Sequence, residues 1–347
     1  MNTVPTAALT ELAASVMTSR PRLGFVGLGW IGTHRLASIA RAGVAEIVAI
    51  ADPIEERLAG AVKHVPDAFC STGLERLRDF DLDGVVIATP SAQHAQQCIS
   101  VLNQGTAVFC QKPLGRNSSE VREVIDTARS ADRLLGVDLS YRYTEALQKI
   151  RELIRANELG HVFAVDLIFH NAYGPQNPWF CDREQSGGGC VVDLGIHLID
   201  VALWILDQPI VNVSSRLFHK GESIDQFAGA CEDYATARLD LANGAAIDLS
   251  CSWHLHAGRD AVIEASFYGT KGGASMRNVN GSFYDFVAER FNGTRRQLLA
   301  EPPDEWFGRA AVEWARRLAV DRIFDPDIEK LIAVTTALDW IYENAKI

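Results

Sequence analysis

From Arg22 to about Tyr141 the chain alternates short apolar runs with amphipathic segments. The apolar runs, which predict strands, are Leu23–Val26, Glu46–Ala51, Gly84–Ala88, Ala107–Cys110 and Leu134–Val137. The segments between them, which predict helices, include His34–Ala42, Ile54–Lys63, Ser91–Asn103 and Ser118–Ala131. Asn117 or Ser118, followed by Glu120, is a suitable cap for the last helix. Apolar strands between helices are typical of a parallel sheet covered on both faces, so residues 20–141 predict a doubly wound α/β domain.

The pattern changes after Tyr141, and residues 142–347 predict a second domain. Two helices are predicted, Thr144–Ala156 and Cys190–Leu206. Alternating polar and apolar positions predict strands at His161–Phe169, Val211–Phe218, Tyr234–Leu241, Ala245–Cys251 and Ala261–Phe267. This arrangement indicates an α+β domain with a mostly antiparallel sheet and helices on one face. A last helix over Asp325–Asn344 could pack on either domain.

Length and charge narrow the class of protein. The chain has 347 residues, which is enough for two domains, and its net charge of −11 disfavours nucleic acids or an anionic membrane surface as partners. None of the seven cysteines forms a C-x-x-C pair, so we expect buried free thiols in a reducing compartment. We find no signal peptide and no run near the ~20 apolar residues of a membrane span, and therefore expect a cytoplasmic protein.

A glycine-rich turn follows the first predicted strand. It reads Gly27-Leu28-Gly29-Trp30-Ile31-Gly32, and the next predicted strand leads to Asp52, twenty residues later. Glycines in this pattern allow a tight turn and close approach of the backbone to a pyrophosphate, whose charge the helix N-terminus stabilises. We therefore predict that the loop binds a dinucleotide and that Asp52 accepts hydrogen bonds from its ribose. The alternative is a structural turn with an incidental acid.

Asp52 also bears on the choice of cofactor. A carboxylate at this place repels the 2′-phosphate of NADP, and Pro53 supplies no basic group, so NAD is favoured. Arg57 lies one turn further on and could assist a phosphate, which keeps NADP possible.

Two more clusters follow strand ends, where open α/β sheets bind their ligands. The first contains Thr89, Pro90 and His94, and this histidine is either a hydrogen-bonded helix residue or a contact near the nicotinamide. The second contains Lys112 before Pro113. A lysine that leaves a buried strand into a cofactor crevice is suited to proton transfer.

The second domain holds an acid and a histidine after a run of glycines. Asp193 and His197 are four residues apart, so on one helix they would share a face and could form an acid–base pair. The run Gly187–Gly189 would let this helix approach a ligand closely. The spacing could also serve zinc, but no third and fourth ligands stand nearby, so no metal is predicted.

Taken together, these motifs resemble the Gfo/Idh/MocA family of glucose–fructose oxidoreductase and inositol dehydrogenase. The resemblance spans Arg22 to the terminal helix. Its marks are the dinucleotide loop, Thr89-Pro90, Lys112-Pro113, Tyr141-Arg142-Tyr143 and the Gly-Gly-Gly…Asp-x-Gly-x-His segment ending at His197, in that order.

The resemblance implies a Rossmann domain followed by a domain whose open sheet joins subunits into a dimer or tetramer. It also implies hydride transfer between NAD(P) and a carbinol carbon of a sugar, cyclitol or related polyol. The catalytic trio would be Lys112, Asp193 and His197, which would also touch the substrate. Further cofactor contacts would be Thr89, Pro90, His94, Gln111, Lys112, Arg142 and Trp179, and further substrate contacts Tyr141, His170 and Asn171.

One position departs from the family pattern, which usually has Glu where this chain has Gln111. The change removes a charge beside Lys112 and is therefore expected to alter the pH dependence of the reaction. In the mechanism that the resemblance implies, His197 takes the hydroxyl proton, Asp193 orients the imidazole and Lys112 stabilises the oxyanion. Either Lys112 or His197 could be the formal base. Alternatives are glycoside cleavage with a tightly held NAD and a regulator without catalytic activity.

Overall fold

The structure is a computed structural model that describes residues 20–225 and 229–346. The expected absence of a signal peptide concerns residues 1–20, of which the first nineteen lie outside the described ranges. Within those ranges the chain forms one six-stranded sheet and one nine-stranded sheet.

The six-stranded sheet is parallel throughout and confirms the doubly wound domain. Its strands are β1 (Arg22–Val26), β2 (Glu46–Ala51), β3 (Phe69–Ser71), β4 (Gly84–Ile87), β5 (Ala107–Cys110) and β6 (Leu135–Val137). They lie in the order β3-β2-β1-β4-β5-β6. The helices are α1 (Trp30–Ala42), α2 (Glu55–Val62), α3 (Ser91–Leu102) and α4 (Ser118–Ala131), with a 3₁₀ turn at Leu74–Asp79. Asn117 caps α4 as predicted, because its side chain accepts from the amide of Glu120 at 2.9 Å.

The nine-stranded sheet is mostly antiparallel and follows in the second half. Its strands are β7 (Val162–Asn171), β8 (Ile210–His219), β9 (Glu222–Ile224), β10 (Tyr234–Leu241), β11 (Ala246–Ser252), β12 (Ala261–Gly269), β13 (Gly273–Asn278), β14 (Phe286–Asn292) and β15 (Arg295–Ala300). They lie in the order β15-β14-β13-β12-β7-β11-β10-β8-β9, and only β7 and β11 pair in parallel. The helices α5 (Glu145–Arg155), α6 (Arg183–Ser186) and α7 (Ile196–Leu206) precede β8, with a π-helical turn at Val191–Gly195 before α7.

The end of the chain returns to the first domain. After β15 come α8 (Arg309–Val320) and α9 (Leu331–Glu343). Trp314 of α8 packs on Phe109 of β5 with ring centroids 5.5 Å apart, and a Cβ on Gly84 or Gly136 would lie 2.6 Å from its ring. α8 therefore packs in the core of the parallel sheet, although the boundary predicted at residue 142 places it in the second domain.

The helix α9 bridges the two parts of the fold. It packs against α7 and β8 of the second domain and against α4 of the first. The carboxylate of Asp339 accepts from the amide of Ser118 at the start of α4, at 2.9 Å. The predicted terminal helix is confirmed, and it contacts both domains.

Five of the seven cysteines are buried, but Cys70 and Cys181 are exposed. The expectation that the thiols are buried is therefore wrong for these two, which lie on the short edge strand β3 and in a 3₁₀ turn.

One helical stretch of the described chain, Arg183–Leu206, is long and apolar enough to cross a membrane by length and composition. Because 78% of its apolar window is buried inside the protein, it is equally typical of a core helix.

Candidate active site

The glycine-rich loop between β1 and α1 has the geometry of a dinucleotide cradle. Gly27 has a φ of +86°, and a Cβ there would lie 2.4 Å from the carbonyl oxygen of Ala88. A Cβ on Gly32 would lie 2.0 Å from the carbonyl oxygen of Gly27, whereas one on Gly29 would meet nothing within 4 Å. The first and third glycines thus allow tight packing, and the second leaves open space at the N-terminus of α1, where a pyrophosphate would fit.

Asp52 at the end of β2 stabilises this loop. Its Oδ2 accepts from the amide of Leu28 at 2.7 Å, and its Oδ1 accepts from the amide of Ile54 at 2.9 Å. The side chain is only 1% exposed, and the guanidinium of Arg57 lies 3.6 Å away. Asp52 therefore has a structural role in the loop in addition to the predicted contact with the ribose.

His94 is a buried helix residue with both ring nitrogens against backbone carbonyl oxygens, as in the first of the two predicted alternatives. Its Nδ1 faces the carbonyl oxygen of Pro113 and its Nε2 that of Thr89, both at 2.7 Å. The residue is 1% exposed, and burial lowers its pKa. His94 thus ties together the ends of β4 and β5, the two strands that deliver the candidate cofactor and proton-transfer residues.

Lys112 and Asp193 meet across the two domains. The Lys112 Nζ donates to the Asp193 Oδ1 at 2.8 Å and to the Asp193 carbonyl oxygen at 2.6 Å. The other carboxylate oxygen, Oδ2, accepts from the indole Nε1 of Trp253 at 3.1 Å. Both charged side chains keep some exposure, 15% for Lys112 and 19% for Asp193. A cation fixed at the carboxyl end of a parallel strand is suited to stabilise a developing oxyanion.

The π-helical turn explains why the Asp193 carbonyl can reach Lys112. A π turn widens the backbone ring, so a carbonyl can leave the regular hydrogen-bond pattern of the helix. Such turns occur frequently at functional sites. The sequence predicted a regular helix from Cys190. The local departure from that helix lets the carboxylate and the carbonyl of Asp193 both accept from the Lys112 Nζ.

His197 lies on the next turn but does not pair with Asp193. Its ring packs on Tyr141 with centroids 5.0 Å apart, and its Nδ1 is buried without a hydrogen-bond partner in the described chain. Burial lowers the pKa of His197 well below its usual value, with smaller contributions from the charges of Lys112 and Arg35. The acid–base pair predicted from the spacing of four is therefore wrong, because both carboxylate oxygens of Asp193 bind other groups.

Gln111 faces a carboxylate that the sequence did not reveal as part of the site. Its Nε2 donates to the Asp138 Oδ2 at 2.7 Å, and its Oε1 accepts from the backbone amide of Lys112 at 2.9 Å. Asp138 is fully buried and also pairs with Arg35 of α1 at 2.5 Å. The side chain of Gln111 thus binds Asp138 and the Lys112 backbone, and the expected effect of this position on the pH dependence stays a prediction.

The glycine run before Asp193 packs closely against neighbouring chain segments. A Cβ on Gly187 would lie 2.7 Å from the Arg116 carbonyl oxygen, and one on Gly188 would lie 2.0 Å from the Tyr342 hydroxyl. These contacts by themselves require glycine, and the close approach to a ligand stays a prediction.

His170 packs within the nine-stranded sheet, against Ser252 and Tyr234. Successive strand residues alternate between faces, and His170 sits on the face opposite the buried Phe169, with its Nδ1 2.8 Å from the hydroxyl of Ser252. Asn171 follows on the Phe169 side, and its side chain accepts from the amide of Tyr173 at 2.8 Å. The prediction that His170 contacts substrate is therefore not supported by its position.

Two other candidates are engaged elsewhere. Arg142 forms a two-point ion pair with the buried Asp200 of α7, at 2.8 and 2.5 Å. Trp179 stacks on Phe180 with centroids 3.8 Å apart, in the 3₁₀ turn Pro178–Cys181. Arg142 thus orders the join between the domains, and the contact of Trp179 with a cofactor stays a prediction.

Sequence reasoning missed residues that support the site from a distance along the chain. These are Arg35, Asp138, Trp253 and Glu232, together with the aromatic residues Trp306 and Phe307. An acidic residue directly after an apolar run was the available signal for Asp138. No spacing pattern in the sequence links Asp138 to Arg35 or Gln111.

The comparisons with known proteins agree with this architecture. Residues 21–139 match the model described as "Oxidoreductase family, NAD-binding Rossmann fold" of the GFO/IDH/MocA group, and residues 147–275 match the model of its C-terminal domain. The rhizopine catabolism protein MocA of Rhizobium meliloti is 27% identical over 81% of this chain and 90% of its own length. The D-glucoside 3-dehydrogenase of Escherichia coli (strain K12) is 28% identical over 76% of this chain and 79% of its own length.

Solved structures share the fold. GenD2 from gentamicin A biosynthesis, solved with NAD, has a TM-score of 0.79 at 23% identity, covering 95% of both chains. Levoglucosan dehydrogenase, solved with NADH, has a TM-score of 0.78 at 20% identity, covering 94% of this chain and 96% of the other. With both domains matched in order and a loop built for a pyrophosphate, the chain belongs to the GFO/IDH/MocA oxidoreductase family and is an NAD(P)-binding oxidoreductase.

Proposed function

We propose that this protein transfers a hydride between NAD and a carbinol or keto carbon of a sugar, cyclitol or related polyol. The observation that carries the proposal is the fixed Lys112 Nζ, held by both the carboxylate and the carbonyl of Asp193 beside the neutral imidazole of His197. Curated relatives include a D-glucoside 3-dehydrogenase and inositol 2-dehydrogenases, whose names fit a polyol substrate.

The loop Gly27–Gly32 and the N-terminus of α1 would hold the pyrophosphate, and Asp52 would face the ribose. When bound, the nicotinamide supplies the hydride acceptor or donor. The substrate hydroxyl would then lie between Lys112 and His197, which approach the same space from different domains. Exclusion of water from this cleft strengthens each of these polar contacts.

We assign the proton transfer to Lys112. In reduction its ammonium, paired with Asp193, would give a proton to the developing alkoxide; in oxidation Lys112 would first release a proton to solvent and then take that of the hydroxyl. His197 resists protonation because burial and nearby cations lower its pKa. It would therefore orient the hydroxyl through a hydrogen bond and not keep its proton.

A spectrophotometric screen tests this function. NAD reduction is followed with a panel of cyclitols, aldoses and glycosides, and NADH oxidation with the corresponding ketones. We expect turnover with at least one polyol and a loss of ~10²-fold or more in kcat for Lys112→Met, the scale expected for a positioned acid or base. Redox inactivity towards the whole panel, with NADH bound normally, would contradict the proposal.

We also propose that the open face of the nine-stranded sheet joins subunits into a dimer or tetramer. Helices cover the other face, and the open face carries a shallow groove with charges of both signs, including Asp166, Arg216, Arg238 and Asp248. Arg238 and Asp248 already pair across β10 and β11 at 3.2 Å. Charges of both signs on one face of the sheet suit a self-complementary contact between identical subunits.

A further inference from the structure

A buried carboxylate meets the start of the segment that carries Asp193 and His197. Glu232 is 2% exposed, and its Oε1 accepts from the amides of Gly189 and Val191 at 2.9 and 3.0 Å. Its own carbonyl oxygen accepts from the amide of Cys190 at 3.0 Å. One residue thus satisfies three consecutive amides that the beginning of a helix leaves without partners.

The tail helix completes this cap. The hydroxyl of Tyr342 in α9 donates to the Glu232 Oε1 at 2.9 Å. A Cβ on Gly188 would lie 2.0 Å from the Tyr342 hydroxyl oxygen, and one on Gly189 would lie 2.0 Å from the Glu232 carbonyl oxygen. These two glycines are therefore needed for the cap to form.

The cap fixes the position of the turn that follows it. The carboxylate of Glu232 is buried and accepts from the protein donors Gly189, Val191 and Tyr342. The amide of Asp193 donates to the carbonyl oxygen of Gly189 at 3.1 Å, which links the capped turn to the residue that holds Lys112. A shift of this turn would move the carboxylate and the carbonyl of Asp193 together.

We propose that Glu232, supported by Tyr342, is a positioning residue that fixes the π-helical turn and through it the Lys112–Asp193 pair. The proposal rests on the hydride transfer proposed above, since that reaction is what gives the Lys112–Asp193 pair a function. The negative charge of Glu232 is favourable at this position, since a carboxylate at a helix N-terminus is stabilised by the backbone dipoles. Burial raises the pKa of Glu232, while its hydrogen bonds from Val191, Tyr342 and Gly189 oppose that shift.

Three variants test the cap at graded strength. Glu232→Ala removes it, Glu232→Gln keeps one acceptor oxygen, and Tyr342→Phe removes one donor. Thr335→Val is the matched control, because it also deletes a buried hydroxyl from α9, where Thr335 donates to the Leu331 carbonyl at 3.2 Å, without touching the cap. Each variant is compared with the wild type in Tm, NADH affinity, kcat and KM.

A second measurement needs no substrate. The rate of Lys112 acylation by acetic anhydride, followed by mass spectrometry, reports how firmly Asp193 holds the amine. We expect faster acylation and a kcat ~10-fold or more lower in Glu232→Ala, since small displacements of catalytic groups are costly. Glu232→Gln and Tyr342→Phe should fall in between, with NADH affinity unchanged, and Thr335→Val should behave as the wild type.

The outcomes separate this proposal from the proposed function. If Lys112 acylation and kcat are unchanged in Glu232→Gln and Tyr342→Phe while Tm falls, the cap is only structural and the proposal is wrong. If acylation rises as expected but no polyol is turned over by the wild type, the cap positions Lys112 and the proposed reaction is wrong. Should Glu232→Ala not fold, the two milder variants and their control still decide the question.

Discussion

Replacing Gln111 with Glu should place two carboxylates against each other inside the first domain. The Gln111 amide now donates to the Asp138 Oδ2 at 2.7 Å, and Asp138 is fully buried. A glutamate has no donor to offer when ionised, so the hydrogen bond becomes a repulsion. Arg35, which pairs with the same Asp138 oxygen at 2.5 Å, can compensate only one of the two charges.

The size of the effect can be bounded from this geometry. Two unit charges 2.7 Å apart repel by about 6 kcal/mol at an effective dielectric constant of about 20. Protonation of the new glutamate or movement of its side chain would relieve part of this. The loss of a hydrogen bond to a buried charged group still costs about 1.5–3 kcal/mol. We therefore expect Gln111→Glu to lower the free energy of unfolding by about 3 kcal/mol.

Urea unfolding of the wild type, two single variants and their double variant measures the coupling between residues 111 and 138. Asp138→Asn alone should also destabilise, because it leaves Arg35 without its carboxylate and sets two amide groups face to face. The double variant Gln111→Glu/Asp138→Asn restores one carboxylate and one amide across the same contact, so it should be more stable than the sum of the single changes predicts. Additive losses, or a Gln111→Glu protein as stable as the wild type, would refute the reasoning.

Four further outcomes are expected. NADH should bind more tightly than NADPH in fluorescence titrations, with the gap narrowed in Asp52→Ser; equal or tighter binding of NADPH would contradict the preference. Lys112→Ala and His197→Ala should each lower kcat by ~10²-fold or more with little change in NADH affinity, and the double variant should cost less than the product; near-normal kcat in the histidine variant would remove His197 from the mechanism. Because burial lowers the pKa of His197 and His94, the folded state binds fewer protons than the unfolded one, so urea midpoints should fall as the pH drops below about 6.5; a flat profile would argue against neutral buried imidazoles. Sedimentation should show a dimer or tetramer that Arg238→Glu weakens; a monomeric wild type would contradict the sheet-face contact.

The sequence predicted five of the six strands of the parallel sheet, all but the short edge strand β3, because the signals of those five are local. Each apolar run is a complete strand, and the glycines of the dinucleotide loop are required by contacts within a short stretch of chain, such as Gly32 against Gly27. The second sheet was predicted less completely. Strands β13 to β15 have short or charged sequences, such as Arg295–Ala300, and their pairing partners rather than their own periodicity make them strands.

Helix α8 shows a second limit of local patterns. Its apolar face, with Trp314 and Leu318, indicates only that the helix packs on something. The glycines at positions 84 and 136 leave the space for Trp314, but they lie on two strands far away in sequence. No spacing rule connects them, so the return of the chain to the first domain could not be predicted.

The candidate active site shows why the predicted residues have a different partnership from the one that their spacing indicated. Spacing along a helix places Asp193 near His197, but a carboxylate binds the strongest available donors, and Lys112 and Trp253 reach it from other segments. Once Asp193 is engaged with Lys112, its negative charge no longer favours an imidazolium at His197. The ammonium of Lys112 and the guanidinium of Arg35 then add to burial in keeping that ring neutral. One contact between the domains therefore bears on both proposed roles: it fixes the Lys112 Nζ, and it makes Asp193 unavailable to His197.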